Sequence, residues 1–280
     1  VIAVGESQRE GSGNGRVRIF EWDDSSLTWI QKGESIDGTG GFGVITGMSD
    51  DGNLVAGGAI YHDSNDYIYA GYAEVYEWNG ESWLQKGQRI NGTGNYEYSG
   101  YVTLSGDGLN LGVGSYNQPM ETVQYELSLT KGRVRLYSWD SGTNTWIKKG
   151  QTVIGSDQED QLSLTKLSTN GDRFVVGSDT YSDNPGKVEV YDWSKTQSAW
   201  IQAGQTILGD ASGDNLGWNS ISNDGNLFSV GASATTSTGY ARLYEWNQND
   251  LRWIQRGPDL TGEKIGDIGA VSKLSGNGNV

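Results

Sequence analysis

The 280-residue chain has no cysteine, a single histidine (His62), three prolines and two methionines. Without cysteine there is no disulfide, no thiol nucleophile and no thiolate zinc site. One histidine cannot build a His-based metal site or a histidine pair. Cations are also scarce: 20 Lys and Arg stand against 35 Asp and Glu, a formal net charge of −15. Such a chain repels a phosphate backbone, and no basic patch interrupts the acidity, so nucleic acid is not an expected partner. No apolar run reaches the length of a membrane span, and no basic, Ala-rich leader is seen. Helical periodicity is missing over any useful length, and Pro119, Pro185 and Pro258 fall in loops.

What the chain has is glycine (43), tryptophan (11) and repetition. Five extended phrases end at Trp22, Trp78, Trp139, Trp193 and Trp246, and a second tryptophan follows each, at Trp29, Trp83, Trp146, Trp200 and Trp253. Ten of the eleven tryptophans therefore belong to one repeat. A Ser-x-x-Gly turn completes it, as in Ser49-Asp50-Asp51-Gly52, with counterparts opening at Ser105, Ser168, Ser222 and Ser275. Asp or Asn before Gly tolerates the left-handed backbone of a tight hairpin. Each unit of roughly fifty residues then reads as four strands: A before the turn, B after it, C with the first Trp and D with the second. Such a unit cannot bury its own apolar faces and must stack on its neighbours.

The expected fold is all-β, a five-bladed β-propeller of four-stranded antiparallel blades forming one domain over residues 1–280. Val1 to Gly5 matches strand B, and residues 270–280 match strand A and its turn. The N-terminal strand B is therefore expected to pair with the C-terminal strand A and close the ring.

The phrase Ala73-Glu74-Val75-Tyr76-Glu77-Trp78, the Trp-x-Gln-x-Gly strand and the Leu-Ser-x-Asp-Gly turn resemble the FG-GAP repeat of integrin-α-like propellers. Phe42-Gly43 and Gly57-Gly58-Ala59 look like the two name-giving regions. The resemblance implies a propeller of secreted or cell-surface proteins with a binding or adhesive role. Integrin-type rings have seven blades where five are counted here, and no loop matches their calcium motif. The nearest approaches are Asp63-Ser64-Asn65-Asp66 and residues 179–183, so no cofactor is expected, with calcium a weak alternative.

Enzymatic chemistry of the glycosidase type needs two carboxyl groups near the central channel. The five A strands carry no Asp or Glu; their charges are Lys166 and Lys273, read as standing at different positions of the repeat. Glu159, Asp160 and Asp214 are read as solvated loop acids, and Trp218 as core packing. Phe20, Tyr76, Tyr137, Tyr191 and Tyr244 are read as filler between blades. Arg18, Glu74, Arg135, Glu189 and Arg242 alternate in sign along strand C, suggesting cross-blade pairs as one reading and independent exposed charges as the other. The B–C and D–A loops share one rim, vary in length, and bring together Tyr61, Tyr67, Tyr69, Tyr96, Tyr98, Tyr116 and Tyr125, the candidate ligand or interface residues. Asn91-Gly92-Thr93 in the same neighbourhood is a glycosylation sequon. The resulting expectation is a non-enzymatic extracellular or cell-surface module for adhesion or structural assembly, binding protein or glycan on the variable rim. A five-bladed lectin is the alternative, and a glycoside hydrolase the third reading.

Overall fold

The computed structural model describes residues 1–7, 13–116, 131–156, 160–178, 185–233, 238–264 and 273–278. Twenty-four strands form five antiparallel sheets in chain order, and no helix occurs among the described residues. The first sheet holds β1 (Ile2–Glu6), β2 (Gly15–Asp23), β3 (Thr28–Gln31) and β4 (Ile36–Gly38). The second holds β5 (Ile45–Met48), β6 (Leu54–Ala59), β7 (Tyr72–Trp78), β8 (Trp83–Gln85) and β9 (Ile90–Asn91). The third runs from β10 (Ser99–Leu104) through β11 (Asn110–Ser115), β12 (Arg133–Asp140) and β13 (Thr145–Lys148) to β14 (Val153–Ile154). The fourth has β15 (Leu162–Leu167), β16 (Arg173–Ser178), β17 (Lys187–Ser194), β18 (Ala199–Gln202) and β19 (Ile207–Leu208). The fifth has β20 (Trp218–Ile221), β21 (Leu227–Ala232), β22 (Tyr240–Asn247), β23 (Arg252–Gln255) and β24 (Leu260–Thr261).

The A-to-D order of the repeat is recovered, with the two tryptophans of each unit facing each other across strands C and D, as in Trp139↔Trp146 and Trp193↔Trp200. Strand D differs from expectation in being broken into two pieces that both pair with strand C. The break falls at Gly33, Gly87, Gly150, Gly204 and Gly257, all left-handed with φ between 74° and 82°. A side chain at Gly33 would collide with the Trp78 ring at 2.5 Å, so glycine serves both the turn and the neighbour's tryptophan. The turn serines also act alike: Ser49, Ser105, Ser168 and Ser222 each accept a hydrogen bond at Oγ from the amide five residues on.

The core lies between sheets, which is why a unit cannot stand alone. Four apolar clusters join the first sheet to the second, the second to the third, the third to the fourth and the fourth to the fifth. Tyr76, Tyr137, Tyr191 and Tyr244 belong to them, as expected of filler. Each joint is fastened by the second tryptophan, whose Nε1 donates to a carbonyl of the preceding unit: Trp83 to Lys32, Trp146 to Lys86, Trp200 to Lys149 and Trp253 to Ala203, at 2.7–2.9 Å. Three joints add a clamp in which Gln88, Gln151 or Gln205 holds both backbone groups of the next tryptophan. A cation from Lys86 or Lys149 lies over the indoles at 4.6–5.3 Å.

The strand-C charges do not pair with one another. Arg18 meets Glu6, Glu74 meets Arg89, Arg135 meets Glu97, and Arg242 meets Asp210 and Asp259. Loops and edge strands supply the partners because the strand-C positions themselves are a full sheet spacing apart, about 10 Å. The strand expected to close the ring, residues 268–274, lies largely outside the described residues.

Candidate functional site

The five A–B turns converge. Asp50 N donates to Gly106 O, Asp107 N to Thr169 O, Thr169 N to Asn223 O and Asn223 N to Gly276 O, at 2.7–2.9 Å. The Asp50 carboxylate reaches across this hub to Thr169 Oγ1 at 3.2 Å and Asn223 Nδ2 at 3.4 Å. Turns that are 119 and 173 residues apart in sequence thus share one carboxylate.

Next along the axis come the residues two before each turn serine: Gly47, Thr103, Lys166, Ser220 and Lys273. Lys166 and Lys273 therefore occupy the same level, correcting the expectation that they differ in position; counting back from Ser168 and Ser275 gives the same offset. Side chains at this level point between adjacent inner strands: a Cβ on Gly47 would touch Leu104 N and Thr103, and Ser220 Oγ accepts from Leu274 N at 3.1 Å. Lys166 is half-buried beside the exposed Lys273, and burial together with the Lys273 charge pushes its ammonium below the usual lysine range. No ion pair to Lys166 occurs among the described residues.

Two residues further on, strand alternation returns the side chain to the same face. Trp218 stands there, 36% exposed, with Ile45 and the half-buried Tyr101 at equivalent offsets. Trp218 is thus not core, as its apolar counterparts suggested; a large ring on an innermost strand keeps an open face. Tyr101 stacks on Tyr116 at 6.3 Å. Along the inner strands a shared carboxylate, two lysines and an aromatic level thus follow one another at successive offsets.

On that loop rim Tyr61, Tyr69, Tyr96 and Tyr98 do come together, with ring centroids 5.6–6.5 Å apart. The two loops zip through Tyr98 N to Tyr69 O and Tyr96 N to Ile68 O. Tyr69, Tyr96 and Tyr98 adopt left-handed backbone, φ 47–56°. Burial and its tyrosine neighbours push Tyr98 up to about 12. Tyr67 stays at the surface, Tyr116 belongs instead to the Tyr101 stack, and Tyr125 lies outside the described residues. Asn91 is exposed at the end of β9, but the Thr93 hydroxyl of its sequon donates to Glu97. Asp63 accepts from Tyr69 N, residues 179–183 lie outside the described set, and no group of three acids or histidines able to hold a metal occurs among the described residues.

The loop acids are not solvated. Asp160 and Asp214 are 3% and 2% exposed, and Glu97, which the sequence reading passed over, is 2% exposed. All three stand eight residues before a turn serine, a spacing that could have revealed them. Asp160 pairs with Lys187; Asp214 takes the amides of Asp210 and Ala211 and the Tyr240 hydroxyl. They brace the D–A loops. Glu159 lies outside the described residues.

No family model matches the chain, and no curated protein sequence resembles it. Solved structures do. The periplasmic gluconolactonase of Pseudomonas aeruginosa superposes with TM-score 0.58 at 14% identity, covering 91% of this chain and 66% of that one. Hydrazine synthase of Kuenenia stuttgartiensis gives 0.53 at 12%, covering 94% and 67%. Sqt1 of Chaetomium thermophilum gives 0.56 at 13%, covering 96% and 58%. The chain thus spans about two thirds or less of the length of these three structures. At such identities the likeness shows a propeller-like all-β fold. It also overturns the expectation of a non-enzymatic adhesion or assembly module: a fold shared with a gluconolactonase and a synthase gives no ground for ruling out catalysis.

Proposed function

We propose that the five sheets form a closed five-bladed ring whose axial channel binds a small hydroxylated organic anion and hydrolyses the corresponding cyclic ester, a sugar lactone. The observation that carries this is Lys166, half-buried beside Lys273 with no ion pair among the described residues, one step below the open face of Trp218. In a chain of net charge −15, two lysines kept together at the axis are a costly arrangement that an anionic ligand relieves. An indole face suits a pyranose or furanose ring. Likeness to a gluconolactonase supports the substrate class.

In the reaction, Lys166 as the free amine accepts a proton from water as its oxygen adds to the lactone carbonyl. The ring C–O bond breaks, the departing ring oxygen takes that proton, the carboxylic acid formed releases its own proton to solvent, and Lys273 holds the resulting carboxylate. Hydrolysis of glucono-δ-lactone followed by pH-stat is expected above the spontaneous rate, with K166M losing about 10²–10⁴-fold in kcat. K273M is expected to raise KM and weaken gluconate inhibition. Because Lys166 must be unprotonated, kcat rises with pH up to its lowered pKa. A wild-type chain that neither hydrolyses the lactone nor binds gluconate by calorimetry would end this reading.

A further inference from the structure

Among the described residues four inter-sheet joints are made and a fifth is not. At the four, the strand-D glycine is covered by the next unit's tryptophan pair: Gly33 by Trp78 and Trp83, Gly87 by Trp139 and Trp146, Gly150 by Trp193 and Trp200, Gly204 by Trp246 and Trp253. Gly257 meets nothing within 4 Å. The remaining tryptophan pair, Trp22 and Trp29, is 45% and 49% exposed, whereas Trp146, Trp200 and Trp253 are 1–3% exposed. Strand β1 is exposed along most of its length, while β6, β11 and β21 are buried throughout.

We infer that Trp22 and Trp29 are the receiving half of a fifth joint whose other half is Arg256 and Gly257 of the same chain. The parts match three of the four made joints; at the fourth the position before the glycine is Ala203. Arg256 holds the place of Lys32, Lys86 and Lys149, so its carbonyl suits Trp29 Nε1 and its guanidinium suits the indole faces. The hub already brings the chain's ends to one axis through Asn223 and Gly276 at one side and Gly52 against Val1 at the other. Two halves tethered in one molecule meet at an effective concentration in the millimolar range, which favours this occupant over a second copy. One part is missing: where Gln88, Gln151 and Gln205 clamp the next tryptophan, this seam has Pro258, which has no side-chain amide. The fifth joint thus lacks the clamp, as does the first, where Glu34 follows Gly33. The inference rests on the five-unit ring proposed above and is independent of the ligand.

Acrylamide quenching of tryptophan fluorescence tests it. In the closed ring Trp22 and Trp29 are shielded, so W22F/W29F leaves the most quenchable fraction of emission unchanged. P258Q supplies the absent clamp and is expected to raise Tm by about 2–4 °C. Loss of the quenchable fraction in W22F/W29F, or a P258Q chain no more stable than wild type, would overturn the inference. So would light scattering that shows a dimer dissolved by R256E, since the joint would then be made between copies. Lactone hydrolysis reads the channel separately, so a negative result in one assay is distinguishable from a negative result in the other.

Discussion

Replacing Glu97 by alanine is expected to lower the unfolding free energy by about 3–5 kcal/mol, read as a fall in the urea midpoint. Glu97 is 2% exposed, and its carboxylate accepts from Arg135, Ser115 and both the amide and hydroxyl of Thr93. Arg135 is itself buried and also donates to Ser99 Oγ and to Asn91 O of the preceding sheet. Removing the carboxylate leaves that guanidinium as an uncompensated charge out of water, and the desolvation penalty dominates any hydrogen bond lost. The double substitution E97M/R135M removes both charges and is expected to recover most of the loss. Arg16 and Asp37, whose side chains are 51% and 69% exposed, supply the contrast: D37A should cost less than about 1 kcal/mol. Equal losses in E97A and D37A would show that the loop brace contributes nothing special.

Turns and the tryptophan pairing were legible because they depend on local chemistry: a left-handed glycine at Gly52, Gly108, Gly171, Gly225 and Gly278, and a cross-strand Trp pair in every unit. The core between sheets was legible because period-two apolar strands have nowhere else to bury a face. What composition could not show was burial of polar groups. Asp160 and Asp214 look like loop acids by neighbourhood, yet the loop folds back and hands them backbone amides or a lysine. Trp218 shares its offset with apolar residues, yet its strand lies at the edge of its sheet, and the ring is left 36% exposed. The tyrosine rim was found by counting aromatics, but counting could not separate Tyr116, which stacks on the third sheet, from the cluster around Tyr69. Reading Lys166 and Lys273 as unrelated missed the charge at the axis, although both offsets were present in the sequence.

Raising the pH should unfold the protein between about pH 10 and 12, with tyrosine ionisation at 295 nm arriving together with loss of the tryptophan signal. Tyr72, Tyr76, Tyr98, Tyr137, Tyr191, Tyr240 and Tyr244 are all shifted upward, in each case chiefly because burial opposes the phenolate. Tyr76 and Tyr191 are raised further by the adjacent Glu74 and Glu189, to which their hydroxyls donate. In the unfolded chain these phenols release protons near pH 10. Above that pH the folded state holds more protons than the unfolded one, so stability that is complete below pH 10 drains away as pH climbs toward the folded values. If only two protons differ, the slope is about 2.7 kcal/mol per pH unit, enough to exhaust an ordinary margin of about 5–15 kcal/mol within a few units. The acid side behaves oppositely: hydrogen bonds from Ser49 hold Asp51 low, and those from Arg242 hold Asp259 low, so their contribution persists above about pH 4 and is lost below it. Y76F and Y191F delete two raised phenols from the inter-sheet clusters without changing their rings, and should shift the alkaline midpoint upward while leaving the acid midpoint in place. Tyrosines that titrate freely near pH 10 in a chain whose tryptophans stay buried would show that the clusters open to water without unfolding, contrary to a core shared between sheets.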